Sequence, residues 1–202
     1  MFDYISECSS EDLVVDYGCI RGNEIIVYIK AGLGGDYLGF EDKYLRMAHR
    51  LHDRYGCSVI SASNPESKNR KIDVDREIIL RFIQKENITK PRMYFFGHSN
   101  GCVKGLELAA SGIGFDRMIL VNMPLMINFH KTKRWIKEIP DTEIIAIFGE
   151  KDPSYMYVPF LDKFASNLKT VIIPGADHNF ANRLDEFISF SDMLVDPQKN
   201  GL

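Results

Sequence analysis

The stretch YFFGHSNGC, Tyr94 to Cys102, sets an apolar, strand-like run directly against Gly97-His98-Ser99-Asn100-Gly101, and a helix-forming stretch follows at once. A serine between two glycines where a strand hands over to a helix is either a tight turn or a nucleophile raised on an elbow. An elbow forces the serine into strained backbone angles and crowds its neighbours so closely that only very small residues fit beside it. The sequence on either side decides between the two.

Outward from that point, short β-rich runs alternate with amphipathic stretches of helical period from residue 24 to the end. This is the pattern of a mostly parallel β-sheet flanked by helices on both faces, an α/β fold. Upstream, EIIVYIKAG (24–32) reads as a strand, 41–54 as a helix and CSVISAS (57–63) as a strand. The polar loop NPESKNRK then leads to a helix over about 72–87 whose Ile78, Ile79, Phe82 and Ile83 share one face. RMYFFG (92–97) is the strand before the elbow and 100–111 the helix after it. Downstream, strands are expected at 117–123, 143–149 and 169–175, and helices at 158–168 and 182–195. Before residue 24, LVVDYGCIRGNEIIV reads as a hairpin turning at Arg21-Gly22-Asn23, which places an antiparallel strand at the N-terminal edge of five or so parallel strands. No repeat or flexible linker divides residues 1–202, so a single domain is expected, with a short cap-like insert at about 124–140.

In an open parallel sheet the reactive groups collect beyond the carboxyl ends of the strands. Gly32-Leu33-Gly34-Gly35 follows the first of them, Ser99 the elbow strand, Glu150-Lys151-Asp152-Pro153 the strand at 143–149, and Gly175-Ala176-Asp177-His178 the last. A serine hydroxyl is a poor nucleophile until an imidazole takes its proton, and that imidazole needs a carboxylate on its other nitrogen. Ser99, His178 and Asp152 fit those roles, with Asp141, Asp177 and Glu150 as nearby alternatives to Asp152. The Asn100 backbone N–H, at the start of the helix, is expected to face an oxyanion formed beside Ser99, with a second donor from Leu33 or Gly34 in the glycine-rich loop. His98 sits beside the serine on the elbow, where its side chain points away from the hydroxyl, and is read as packing.

On these residues the chain resembles the α/β-hydrolase superfamily. GHSNG matches its nucleophile elbow, AGLGG (31–35) resembles its HGxGG oxyanion loop, GEKDPSYMYVP (149–159) its GxxDxxxP acid loop, and GADHNF (175–180) its catalytic-histidine loop. The resemblance spans residues 13 to about 195. It departs from the pattern at Ala31, where the loop histidine usually stands, and in the short space left for a lid. It implies a serine hydrolase with a minimal lid, acting without cofactor or metal on an ester, thioester or amide through an acyl-enzyme. An acyltransferase with the same triad, or a non-catalytic ligand-binding protein of this fold, are the alternatives.

Bulk properties agree. A net charge of −3, from 25 basic and 28 acidic side chains, gives no reason to expect nucleic acid or an anionic membrane surface as partner. No run is long and apolar enough for membrane insertion, and the acidic N-terminal stretch lacks the signal-peptide pattern, so a cytoplasmic location is expected. Oligomeric state has no signature here. Cys8, Cys19, Cys57 and Cys102 are scattered without CxxC pairing and read as structural thiols. His49 and His52, at i and i+3 on a helix, lack companion ligands for a metal. Gly34, Gly35 and Gly39 lack the rest of a phosphate-binding signature. Within and just before 124–140, Met123, Leu125, Met126, Phe129 and Trp135 are the candidate lining of a small-molecule or acyl pocket, and Lys131, Lys133, Arg134 and Lys137 form a basic cluster. If His178 is the base, kcat/KM should rise with pH through a group near 6.5, within about one unit.

Overall fold

Runs such as IIVYIK and EIIAIFG are apolar at nearly every position because a strand inside a parallel sheet is covered on both faces. The computed structural model describes residues 1–10, 13–66, 73–161, 163 and 165–195. Its strands are β1 (Tyr4–Ser10), β2 (Leu13–Ile20), β3 (Ile25–Lys30), β4 (Ser58–Ala62), β5 (Arg92–His98), β6 (Arg117–Val121), β7 (Glu143–Gly149) and β8 (Leu168–Ile173). They form one sheet in the order β1-β2-β4-β3-β5-β6-β7-β8, in which β3 to β8 run parallel while β1 and β2 are antiparallel at one edge. The helices are α1 (Lys43–Tyr55), α2 (Asp73–Lys85), α3 (Asn100–Ala110), α4 (Leu125–Glu138), α5 (Val158–Leu161), α6 (Leu184–Ser189) and α7 (Asp192–Val195).

Register divides the core in two. Tyr28, Phe95, Met118 and Ile144 are neighbours across four strands on one face, where α2, α3 and α4 cover them. Ile29, Phe96, Ile119 and Ile145 form the next row, on the opposite face, beneath α1, α6 and α7. The period-2 alternation of side chains thus feeds two separate apolar layers from a single set of strands. All four cysteines are buried and free. Among the described residues no helix is long and apolar enough to cross a membrane.

Three expectations need correction. The expected hairpin between residues 13–20 and 25–30 is absent: β2 pairs with β1 and β4, while β3 lies beyond β4. The turn instead crosses the start of β4, held by Asn23 N–H to the Gly56 carbonyl (2.7 Å) and Gly22 N–H to Ser58 Oγ (2.9 Å). A Cβ on Gly22 would lie 2.3 Å from the Gly56 carbonyl oxygen, so this close crossing requires glycine. The expected helix at 158–168 is α-helical only over α5; Lys163 is in a turn, and residues 162 and 164 lie outside those described. The closing helix divides into α6 and α7, and the buried Asp192 at the break is held by Arg50 and Arg54 of α1. Part of the polar loop, residues 67–71, and residue 72, the expected start of the next helix, also lie outside the described residues.

From β3 the chain runs through α1 to β4 on one side, then through α2 to β5 on the other. The carboxyl ends of β3 and β5 therefore flank the point where the winding reverses, which is where a crevice opens in such sheets.

Candidate active site

Ser99 stands at that crevice with φ 52° and ψ −123°, a left-handed backbone conformation that costs a non-glycine residue on the order of 1–3 kcal/mol. The surroundings hold it there. Ser99 N–H donates to the Val121 carbonyl (2.8 Å), and Cys102 N–H to the Ser99 carbonyl (3.0 Å). The flanking glycines permit the close contact: a Cβ on Gly101 would lie 2.4 Å from the Lys30 carbonyl oxygen, and one on Gly97 2.9 Å from Cys102 N. The reading of Gly97 and Gly101 as steric requirements of an elbow agrees with this geometry.

The three side chains singled out at separate strand ends meet. Ser99 Oγ lies 3.0 Å from His178 Nε2, and His178 Nδ1 lies 2.5 Å from Asp152 Oδ2. Asp152 is buried, and its other oxygen accepts Ser154 N–H (2.7 Å), so both carboxylate oxygens are engaged. A carboxylate on Nδ1 holds the proton there and leaves Nε2 to accept from the serine. Of the alternative acids, Asp141 is exposed ahead of β7, at the end of that strand opposite Asp152, and the other two are occupied elsewhere. Asp177 closes a local turn by accepting from Asn179 and Ala181 N–H, and Glu150 accepts Gly175 N–H.

Two residues hold the imidazole's loop. His98 is buried and donates from Nε2 to the His178 carbonyl (2.9 Å). Burial, with help from the nearby Lys43 charge, pushes its pKa down to about 3, so it is a neutral donor at ordinary pH. Lys43 is itself buried, its ammonium over the Tyr44 and Phe187 rings, and burial pushes its pKa down to about 8. Asn122 was not singled out in the sequence. It is fully buried with φ 49°; its Nδ2 donates to the Asp177 (3.1 Å) and His178 (2.8 Å) carbonyls, and its Oδ1 accepts Gly149 N–H (2.8 Å). This one amide ties the loop bearing His178 to the strand that leads to Asp152. Asparagine directly after a buried strand, where no surface turn is needed, was the available signal.

On the other side of Ser99 the glycine-rich loop approaches so closely that a Cβ on Gly32 would lie 3.4 Å from Ser99 Cβ. Gly34 is not available as an oxyanion donor, because its N–H is donated to the Asn64 carbonyl (2.8 Å). The Leu33 and Asn100 N–H groups, by contrast, meet no acceptor among the described residues. Asn64, also unsingled in the sequence, reaches from Nδ2 to the Ala31 carbonyl (3.0 Å) and to Asn100 Oδ1 (3.3 Å), joining the glycine-rich loop to the start of α3. Beneath the loop, buried Lys30 donates to Asp75 (2.6 Å) and to the Ser63 carbonyl (2.7 Å), and Tyr28 OH donates to the same carboxylate (2.5 Å).

The expected pocket lining is corrected. The cap-like insert is α4, the crossover between β6 and β7, and its Leu125, Asn128, Thr132, Trp135 and Ile136 form its buried face. Met123, Leu125 and Trp135 belong to the core, which leaves them almost no surface to offer a substrate. Met126 is exposed, and Phe129 is half-buried between Tyr157 and Phe160. Cys102 is packed, with its thiol on the Val121 carbonyl (3.3 Å) and its pKa pushed up by burial. His49 meets the N-terminal amine and His52 the Cys57 carbonyl.

No protein-family sequence model matches this chain, and no curated protein sequence matches it. Solved structures do. A serine hydrolase homologue from Coxiella burnetii superposes with a TM-score of 0.75 at 14% identity, over 97% of this chain and 99% of its own. Est1E from Butyrivibrio proteoclasticus, with ferulic acid bound, gives 0.72 at 15% identity, over 96% of this chain and 100% of its own. A serine hydrolase without a lid from Xanthomonas campestris gives 0.70 at 15% identity, over 98% of this chain and 96% of its own. With the sheet order, the crossovers and these superpositions in agreement, the chain has the α/β-hydrolase fold.

Proposed function

We propose that this chain, acting as a single domain, is a serine hydrolase that cleaves an ester, thioester or amide of a small or acyl-bearing substrate through Ser99, His178 and Asp152. The observation that carries the reading is the unbroken hydrogen-bonded order of hydroxyl, imidazole and buried carboxylate on a strained elbow. Ser99 Oγ attacks the substrate carbonyl carbon while His178 Nε2 takes its proton, and Asp152 stabilises the imidazolium. The Leu33 and Asn100 N–H groups receive the oxyanion. The C–O, C–S or C–N bond breaks as the leaving group takes the proton from His178. Water, deprotonated by the same imidazole, then attacks the acyl-enzyme, and Ser99 is regenerated. Structural neighbours that are serine hydrolases and esterases support the reaction class, and the ferulic acid held by Est1E supports a small carboxylic acid as the acyl half. Four free cysteines fit a reducing compartment such as the cytoplasm.

A fluorophosphonate probe should add to the intact protein, and the adduct should vanish in Ser99→Ala. A panel of p-nitrophenyl esters of increasing chain length should be turned over by wild type and not by that variant. Ligand-induced melting shifts without any adduct would turn the reading to a binding module. Transfer product formed on adding alcohols or thiols would turn it to an acyltransferase.

A further inference from the structure

Eleven large apolar side chains are exposed among the described residues, and five of them, Met126, Ile127, Tyr155, Met156 and Phe160, fall on the segments that follow β6 and β7. They form one surface. Leu125 N–H donates to Ser154 Oγ (3.0 Å), which fastens the first turn of α4 to the turn at Pro153–Tyr157, and the Phe129 ring packs tilted against Tyr157 and edge-on to Phe160. The surface adjoins Asp152 and the carboxyl end of β6, so it borders the mouth of the triad. Ile127, on α4, is 80% exposed, and Met156, in the turn at Pro153–Tyr157, 64%. Side chains that protrude so far cannot enclose a small molecule; they lose their contact with water only against a broad partner.

Charge selects the partner. Exposed Lys131, Arg134 and Lys137 continue along the outer face of α4, with exposed Lys151 and Lys163 on the adjoining segments, against exposed Glu138, Asp141 and Glu150. Across the crevice the rim is net acidic, with exposed Asp36, Glu41, Asp42 and Asp185 beside one exposed cation, Arg46, which pairs with Asp185. The molecule is therefore polarised around its site, although its net charge is −3. Apolar side chains protruding among lysines are what an interfacial anchor presents: the first enter the acyl boundary without needing a complementary shape, and the cations stay with anionic headgroups.

We propose that the face formed by the start of α4 and by residues 153–161 docks on an anionic lipid bilayer, turning the mouth of the site toward the membrane surface. The sequence expectation of no anionic-surface partner came from net charge, which averages the two sides of the rim. The docking is independent of the hydrolase chemistry and is measured without it.

The test is co-sedimentation of the full chain with vesicles of phosphatidylcholine mixed with phosphatidylserine, beside vesicles of phosphatidylcholine alone. Wild type should partition onto the mixed vesicles, at least about tenfold more weakly onto the neutral ones, and progressively less as salt is added. Ile127→Asp combined with Met156→Asp should cut binding by more than about tenfold, and Lys131→Ala or Lys137→Ala by roughly fivefold each. Far-ultraviolet circular dichroism and turnover of a soluble short-chain ester serve as folding and activity controls, because these side chains lie outside the triad. Wild type remaining in the supernatant, variants binding as wild type does, or a wild-type dimer that Ile127→Asp splits would each overturn the proposal. The last outcome would assign the face to a second copy of the chain. Loss of ester turnover with vesicle binding intact would count against the hydrolase reading alone.

Discussion

At the scale of single residues, the site depends on groups that tolerate little change. Gly101→Ala should cost about 1–3 kcal/mol in urea unfolding, because the added methyl meets the Lys30 and Ala31 carbonyls and neither backbone can retreat without moving the elbow. His98 sets a pH dependence. Its folded pKa is pushed down to about 3, well below the unfolded value near 6.5, so the unfolded chain binds the extra proton between those values. The stability this group contributes is whole above about 6.5 and is lost progressively as pH falls from there toward 3. His98→Gln keeps a donor for the His178 carbonyl and removes the titration. Its urea midpoint should therefore vary less than that of wild type between about pH 6.5 and 5, above the range where carboxylates titrate. An equal slope in both proteins would refute this account.

At the scale of elements, the three side chains of the proposed triad are positioned by loops that other side chains pin. Asn122 joins the His178 loop to β7 through three hydrogen bonds. Asn122→Ala should lower kcat by roughly tenfold to a hundredfold with little change in KM, because a small displacement of the base is costly while the substrate still meets the same surface. A kcat unchanged in the folded variant would show the amide to be structural only. Lys30→Met leaves Asp75 buried without its cation and should cost about 3–5 kcal/mol in denaturant titration. Legibility in the sequence divides along the same line. Ser99, Asp152 and His178 stood out because chemistry prescribes their types and the strand ends prescribe their order. Asn122, Asn64 and Asp75 did not, since a buried polar side chain is recognised by its partners, and those lie far away in the chain. Gly34 was included because glycine-rich loops offer several N–H groups; which one is free depends on the Asn64 carbonyl, a contact invisible to local pattern. Met123, Leu125 and Trp135 were apolar for the core, and composition alone does not separate core from pocket.

For the whole molecule, the inner parallel strands β3 to β7 were legible because both their faces are buried, which makes their runs nearly continuous and apolar. The edge was not. Whether β2 turns back on β3 or crosses to the far side of β4 is decided by where Gly22 and Asn23 lodge against the start of β4, a long-range fit. The C-terminal helices are similarly fastened from a distance, with the buried Asp192 carboxylate held by Arg50 and Arg54. Asp192→Ala removes the anion for both arginines, which stay partly exposed to water, and should cost about 1–2 kcal/mol, with faster amide exchange in α6 and α7 than in α3. Unchanged exchange in α6 and α7 would show that apolar packing alone holds them. The burial of Cys8, Cys19, Cys57 and Cys102 also makes the protein its own gauge of unfolding. A water-soluble disulfide reagent should find almost no reactive sulfur in the native protein and four equivalents in denaturant, so the rate of colour development reports how often the core opens, with no label introduced.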